Sequence, residues 1–89
     1  MNKFQIYSLD EPSLEVAIKK SEVQLLRAQF FKFYYLNGYG YKSIQTKWTK
    51  LKKSNCNNDS IVIVLNKEFI FFLPDEINIY NYEKDDCIL

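Results

Sequence analysis

The chain has 89 residues, of which 47% are hydrophobic and 17% aromatic, and its net charge is +1. This length suits one domain, and the apolar content excludes a disordered chain. The longest apolar runs are five residues, too short to span a membrane, and the N-terminal residues contain no hydrophobic signal core. We therefore expect a single cytoplasmic domain over residues 1–89.

Charge is distributed unevenly along this domain. Residues 19–53 contain nine basic residues and one acidic residue, whereas residues 54–89 contain two lysines and seven acidic residues. We therefore divide the domain into a strand-plus-basic-helix half, residues 1–53, and an acidic β-meander half, residues 54–89. Such asymmetry indicates a charged partner.

The first elements predicted in the chain are a strand and a long helix. Residues 3–8 alternate between apolar and polar side chains, which predicts a short strand. Residues 12–36 predict a helix that begins at Pro12. Ser21 and Gln24 fit a capping box, so two helices joined near Ser21 are the alternative. We favour one helix that is irregular at Ser21.

The C-terminal part of this helix carries more apolar residues than one buried face needs. Ten of the fifteen residues from Glu22 to Leu36 are apolar. A second row places Phe31 and Tyr34 beside Arg27, on the side where solvent is expected. The stripe predicted to face the core consists of Val23, Leu26, Phe30 and Phe33.

A turn over residues 37–40 contains both glycines of the chain and ends the helix. Residues 41–53 then predict a second, amphipathic helix, with lysines on its polar side. A strand, based on the alternation of Ile44, Thr46 and Trp48, is the alternative, but it fits fewer residues. The apolar stripe of this helix is Tyr41, Ile44, Trp48 and Leu51.

The second half predicts strands. Residues 54–59 are a polar loop, and residues 61–65 and 69–73 form a hairpin around Asn66-Lys67. Residues 77–82 form the last strand. Both faces of the hairpin are apolar, so we expect it to be covered on both sides. One face has Ile61, Ile63, Ile70 and Phe72, and the other has Val62, Val64, Phe69 and Phe71.

The sequence therefore predicts an α+β fold with the element order β-α-α-β-β-β. Two helices pack on one face of a small antiparallel sheet. Because two short helices do not cover both faces of the hairpin, we expect a homodimer or another partner on the second face.

The residue types argue against an enzyme. The chain has no histidine, the commonest general base and metal ligand. Its two cysteines are 31 positions apart and lack the spacing of zinc ligands. Both glycines lie in one turn, so the chain has no glycine-rich phosphate loop. We expect no catalytic residue, metal or cofactor.

Two sets of side chains are candidates for binding. The first set is basic and is predicted to contact nucleic acid or an acidic partner: Arg27, Lys32, Lys42, Lys47, Lys50 and Lys53. The second set is apolar or aromatic and is predicted to contact a partner or a second copy: Phe31, Tyr34, Tyr35, Val62, Val64, Phe69 and Phe71. The alternatives are a solvated lysine face for the first set and core burial for the helical aromatics of the second.

These features predict a small binding or regulatory protein that docks on a larger host protein complex. Eleven lysines against one arginine indicate a low-GC genome and favour a phage or mobile-element accessory factor or inhibitor. The alternative is a nucleic-acid-associated protein that binds phosphates through the lysine face of residues 42–53.

Overall fold

The computed structural model describes residues 13–57 and 59–81. The predicted strand at residues 3–8 and the acidic tail from residue 83 lie outside the described residues. A 3₁₀ turn, Lys20–Glu22, joins the first strand to the first helix. In chain order the elements are β1 (Ser13–Lys19), α1 (Val23–Leu36), α2 (Tyr41–Thr49), β2 (Lys52–Asn57), β3 (Ser60–Asn66), α3 (Lys67–Ile70) and β4 (Ile79–Asn81).

The four strands form one antiparallel sheet in the order β2-β3-β1-β4. The central strands β1 and β3 pair with Val16 opposite Ile63 and Ile18 opposite Ile61. Directly paired residues of an antiparallel sheet point to the same face. Val16, Ile18, Ile61 and Ile63 therefore share one face, here called the inner face.

All three helices contribute buried residues to the core on the inner face. Phe30 lies at its centre, with the rings of Tyr34, Phe69 and Trp48 at centroid distances of 4.7, 5.2 and 5.3 Å. Burying a side chain of this size stabilises the fold by roughly 1.5–3 kcal/mol. The predicted α+β class, with helices on one face of an antiparallel sheet, is confirmed. The buried helical residues are Leu26, Phe30, Ile44, Phe69 and Ile70.

The prediction of one helix over residues 12–36 is wrong in its N-terminal half, because residues 13–19 form strand β1. Val16 and Ile18 are buried on the inner face, and Glu15, next to Val16, is exposed. This alternation is the period-two pattern of a half-buried strand, and pairing with β3 stabilises it. The helix itself begins at Val23, close to the alternative start at Ser21.

The second predicted helix, residues 41–53, is too long by four residues. It ends at Thr49, and β2 follows from Lys52, so the predicted loop at residues 54–59 is also largely strand. β2 is an edge strand, where polar and charged side chains are common because one side of the strand has no partner. Local composition therefore gave no strand signal.

The predicted hairpin of residues 61–65 and 69–73 is wrong in its second strand. β3 is confirmed, but Lys67–Ile70 forms the short helix α3. The Asn66 side-chain oxygen accepts a hydrogen bond from the Glu68 backbone N–H at 2.7 Å, which caps this helix. The hairpin partner of β3 is β2 instead, and the last strand, β4, lies within the predicted range 77–82. The elements again read β-α-α-β-β-β with α3 inserted before β4, but two of the strands are β1 and β2, where helix and loop were predicted, and none is at residues 69–73.

Candidate binding surface

The reversal between α1 and α2 brings aromatic side chains of both helices together. Gly38 has φ +94°, the left-handed conformation that ends many helices. The Gly38 N–H donates to the Tyr35 carbonyl at 3.0 Å, and the Tyr39 N–H donates to the Tyr34 carbonyl at 3.0 Å. This pair of hydrogen bonds is the Schellman motif, and it turns the chain so that α2 packs back along α1.

A groove of about 360 Å³ lies between the two helices. We call it the α1–α2 groove. The Phe31 and Tyr41 rings, one from each helix, pack against each other in its wall at a centroid distance of 5.6 Å, and Ile44, which also lines the groove, is buried. Tyr35 and Tyr41 are 72% and 62% exposed. Large apolar area is thus left uncovered within the protomer. The groove is lined by Phe31, Lys32, Tyr35, Tyr41 and Ile44.

Positive charge borders this groove. The Arg27 guanidinium lies over the Phe31 ring, 4.2 Å from its centroid, and Lys32 lines the groove. Lys42 follows Tyr41 and is exposed. The sequence from residue 23 to residue 53 contains no acidic residue. The electrostatic potential of the α1–α2 surface therefore favours a negatively charged partner.

Lys47 and Tyr34 belong to a second cluster beside the groove. The Lys47 ammonium lies 4.9 Å from the Tyr39 ring centroid and 5.5 Å from that of Tyr34, and the two rings are 5.2 Å apart. Burial raises the pKa of Tyr34 above its ordinary value of 10.0, and the nearby Tyr39 and Glu68 raise it further. Lys47 and Tyr34, which were both predicted to contact a partner, thus lie next to each other in the structure.

The remaining basic residues of the predicted set separate in space. Lys50 is exposed and caps the C-terminus of α2. Lys53 was predicted to lie on the second helix, but it lies on β2. Its ammonium forms an ion pair with the Glu15 carboxylate of β1. An exposed ion pair of this kind adds at most about 1 kcal/mol, but it neutralises the charge of Lys53.

The predicted contact residues of the sheet do not share a face. Val62 is buried and Val64 is half-buried, both on the sheet face opposite the helices. Phe69 lies in the core, with its ring 5.2 Å from that of Phe30, so it offers no surface to a partner. Phe71 is 68% exposed. The reason is that α3 replaces the predicted second strand.

Sequence reasoning missed two residues of the groove. The helical pattern puts Tyr41 and Ile44 on the apolar stripe that faces the core, which is correct for Ile44. Tyr41 stands at the N-terminal end of that stripe, where it is exposed and its ring meets Phe31 of α1. The sequence signal that could have identified Tyr41 as a groove residue is its position in the first turn of α2, directly after the turn at residues 37–40.

Two further properties bear on the class of site. Within the described part of the chain, no group of three acidic or cysteine side chains is arranged to hold a metal ion. No helix in residues 13–57 and 59–81 is long and apolar enough to cross a membrane.

Comparisons with protein-family models, with curated proteins and with solved structures gave no match for this chain. The functional assignment therefore depends on the geometry of the α1–α2 groove.

Proposed function

We propose that this protein is a small, non-enzymatic binding module that docks on a larger protein through the α1–α2 groove. One observation supports the proposal above all others: an uncovered aromatic groove that is lined by Lys32 and bordered by Arg27, on helices without acidic residues. The partner surface that complements it combines a large apolar side chain with carboxylates.

The chemistry of the groove is that of a protein interface. Tyrosine and arginine are enriched among the residues that dominate binding energy, and such residues cluster in pockets that exclude water. Here Arg27 is held in place by the Phe31 ring, so less side-chain entropy is lost when a carboxylate binds it. Tyr35 and Tyr41 supply rigid contact area beside it.

Within this class we favour a cytoplasmic regulatory role, as an accessory factor or inhibitor encoded by a phage or mobile element. Such a protein acts by occupying the surface of its target, which is the role that the exposed groove supports. The low arginine and high lysine content agrees with a low-GC source.

Paired surface variants test the proposal. The groove variant combines Tyr35→Ala with Lys32→Glu. The control variant combines Phe71→Ala with Lys20→Glu: it removes an aromatic ring of similar exposure outside the groove and makes the same change in charge. Wild type and both variants are used as baits for host extract with and without nuclease treatment, and captured proteins are quantified by mass spectrometry. We expect a specific protein to be retained by wild type and the control variant and lost by the groove variant.

The other outcomes assign the function differently. A protein lost only by the control variant would place the interface at Phe71 and contradict the proposed groove. Loss of all captured proteins after nuclease treatment would show that nucleic acid mediates the association.

Nucleic-acid binding is the second candidate function, because Lys42 and Lys50 are exposed on α2 without a neighbouring acid on that helix. If it holds, binding to duplex DNA weakens steeply with salt. Replacing both lysines by glutamine then reduces the slope of log K against log salt by about 0.9 for each phosphate that is no longer neutralised. Lys19→Gln with Lys20→Gln is the control, and absence of binding at low salt excludes this candidate.

A further inference from the structure

A second opening lies between the helices and the β2 side of the sheet. We call this cavity of about 250 Å³ the core cleft. Leu26 and Ile63 are buried at its base, half-buried side chains form its walls, and the exposed Thr49 and Lys52 lie at its rim. The apolar lining residues are Val23, Leu26, Trp48, Leu51, Ile61 and Ile63.

The cleft exists because β2 supplies no apolar side chain to the inner face in its described part. Lys52 pairs with Ile63 and Asn55 with Ile61, and both partners of each pair point to the inner face. A valine or leucine at position 52 would fill this space. With lysine there, the last apolar residue before the strand is Leu51, and the core stays open on this side.

Lys52 and Lys53 are adjacent in sequence but face opposite sides of the sheet. The register of β2 shifts between Lys52 and Ser54, so that Lys53 is the extra residue. Lys53 extends to Glu15 on the outer face. Lys52 lines the core cleft, and among the described residues no carboxylate forms an ion pair with it.

We propose that the core cleft binds a small amphipathic carboxylate, with its alkyl chain against Trp48 and Leu51 and its carboxylate paired with Lys52. Apolar walls with one cation at the edge complement a ligand that has one anionic end and no other polar group. The volume corresponds to about eight water molecules, which sets the size of the alkyl chain to a similar number of methylene groups. This site is separate from the α1–α2 groove.

Octanoate is the probe, and Trp48, the single tryptophan of the chain, reports binding through its fluorescence. We expect a saturable emission change with octanoate, a weaker affinity for neutral octanol and the weakest for octylammonium. Lys52→Gln should weaken octanoate binding by about fivefold, the size of a partly exposed ion pair, and leave octanol binding unchanged.

Lys53→Gln is the matched control, because it removes one lysine from the same strand on the opposite face. It should bind octanoate as wild type does, and circular dichroism checks that both variants remain folded. Absence of a Trp48 response to octanoate overturns the proposal. Equal affinity for the three probes, or unchanged octanoate binding in Lys52→Gln, overturns the role of the lysine and with it the proposed ligand class.

Discussion

Phe69 and Phe71 lie two positions apart in the chain, yet Phe69 is buried in the core and Phe71 is exposed. A strand would place residues i and i+2 on the same face, as the sequence pattern predicted. In the helical turn of α3, Phe69 packs under α1 while Phe71 points outward. Whether this segment is helix or strand therefore determines whether Phe71 lies on the same side as Phe69.

This difference gives a direct test by mutation. Phe69→Ala should destabilise the protein by about 3–5 kcal/mol, because it leaves a cavity among packed rings. Phe71→Ala should change the free energy of unfolding by about 1 kcal/mol or less. Urea unfolding of both variants checks the prediction, and equal losses would support the predicted hairpin instead of α3.

Tyr34 predicts a pH dependence of stability. Its pKa in the folded protein is raised above 10.0, mainly by burial, whereas in the unfolded chain it is near that value. The unfolded state therefore loses the proton first, and the stability contribution, present below pH 10, is lost as pH rises further. The free energy of unfolding of wild type should fall, relative to that of Tyr34→Phe, only above about pH 10. A constant difference between the two from pH 8 to 11 would contradict this assignment.

At the scale of elements, the α1–α2 turn decides whether the groove forms. Gly38 has a positive φ, and no heavy atom lies within 4 Å of the position that a Cβ would occupy, so backbone strain alone opposes a side chain there. Gly40 has φ −83° and is the N-cap of α2, without a side-chain capping hydrogen bond. The two glycines therefore respond differently to substitution.

Gly38→Ala should destabilise the protein by about 1 kcal/mol, the cost of a left-handed residue with a Cβ. Gly40→Ser should be neutral or stabilising by a few tenths of a kcal/mol, roughly the advantage of serine over glycine at an N-cap. Thermal unfolding of the two variants measures both effects. A similar loss in both would show that the turn does not depend on the positive φ.

The elements also show where sequence patterns were sufficient. β3 is a continuous apolar run and α2 has a helical period, and both were predicted at the correct place, although α2 was predicted too long. β1 was predicted as helix and β2 as helix and loop. Both strands pair with β3. β1 does carry a period-two alternation of Leu14, Val16 and Ile18, which the helical interpretation overlooked, whereas the polar sequence of β2 gives no local strand signal.

At the scale of the whole molecule, uncovered aromatic surface still predicts self-association. Tyr35 and Phe71 are each more than 60% exposed, at separate places on the protomer. We expect a homodimer, whose interface must bury about 800 Å² on each protomer to be stable. Light scattering at several protein concentrations measures the mass, and Phe71→Glu, outside the α1–α2 groove, should shift it toward the monomer. A protomer mass for wild type at every concentration would show that the dimer prediction is wrong.

The sequence by itself determined the α+β class and the basic, aromatic character of α1 and α2. These properties follow from composition and from periodicity within single segments. Only the tertiary structure decided that Phe31 and Tyr41 share a groove, that Lys53 is neutralised by Glu15 and that Lys52 faces the core cleft. The physical reason is that strand register and helix packing join residues far apart in the chain, and a shift of one position moves a side chain to the other face.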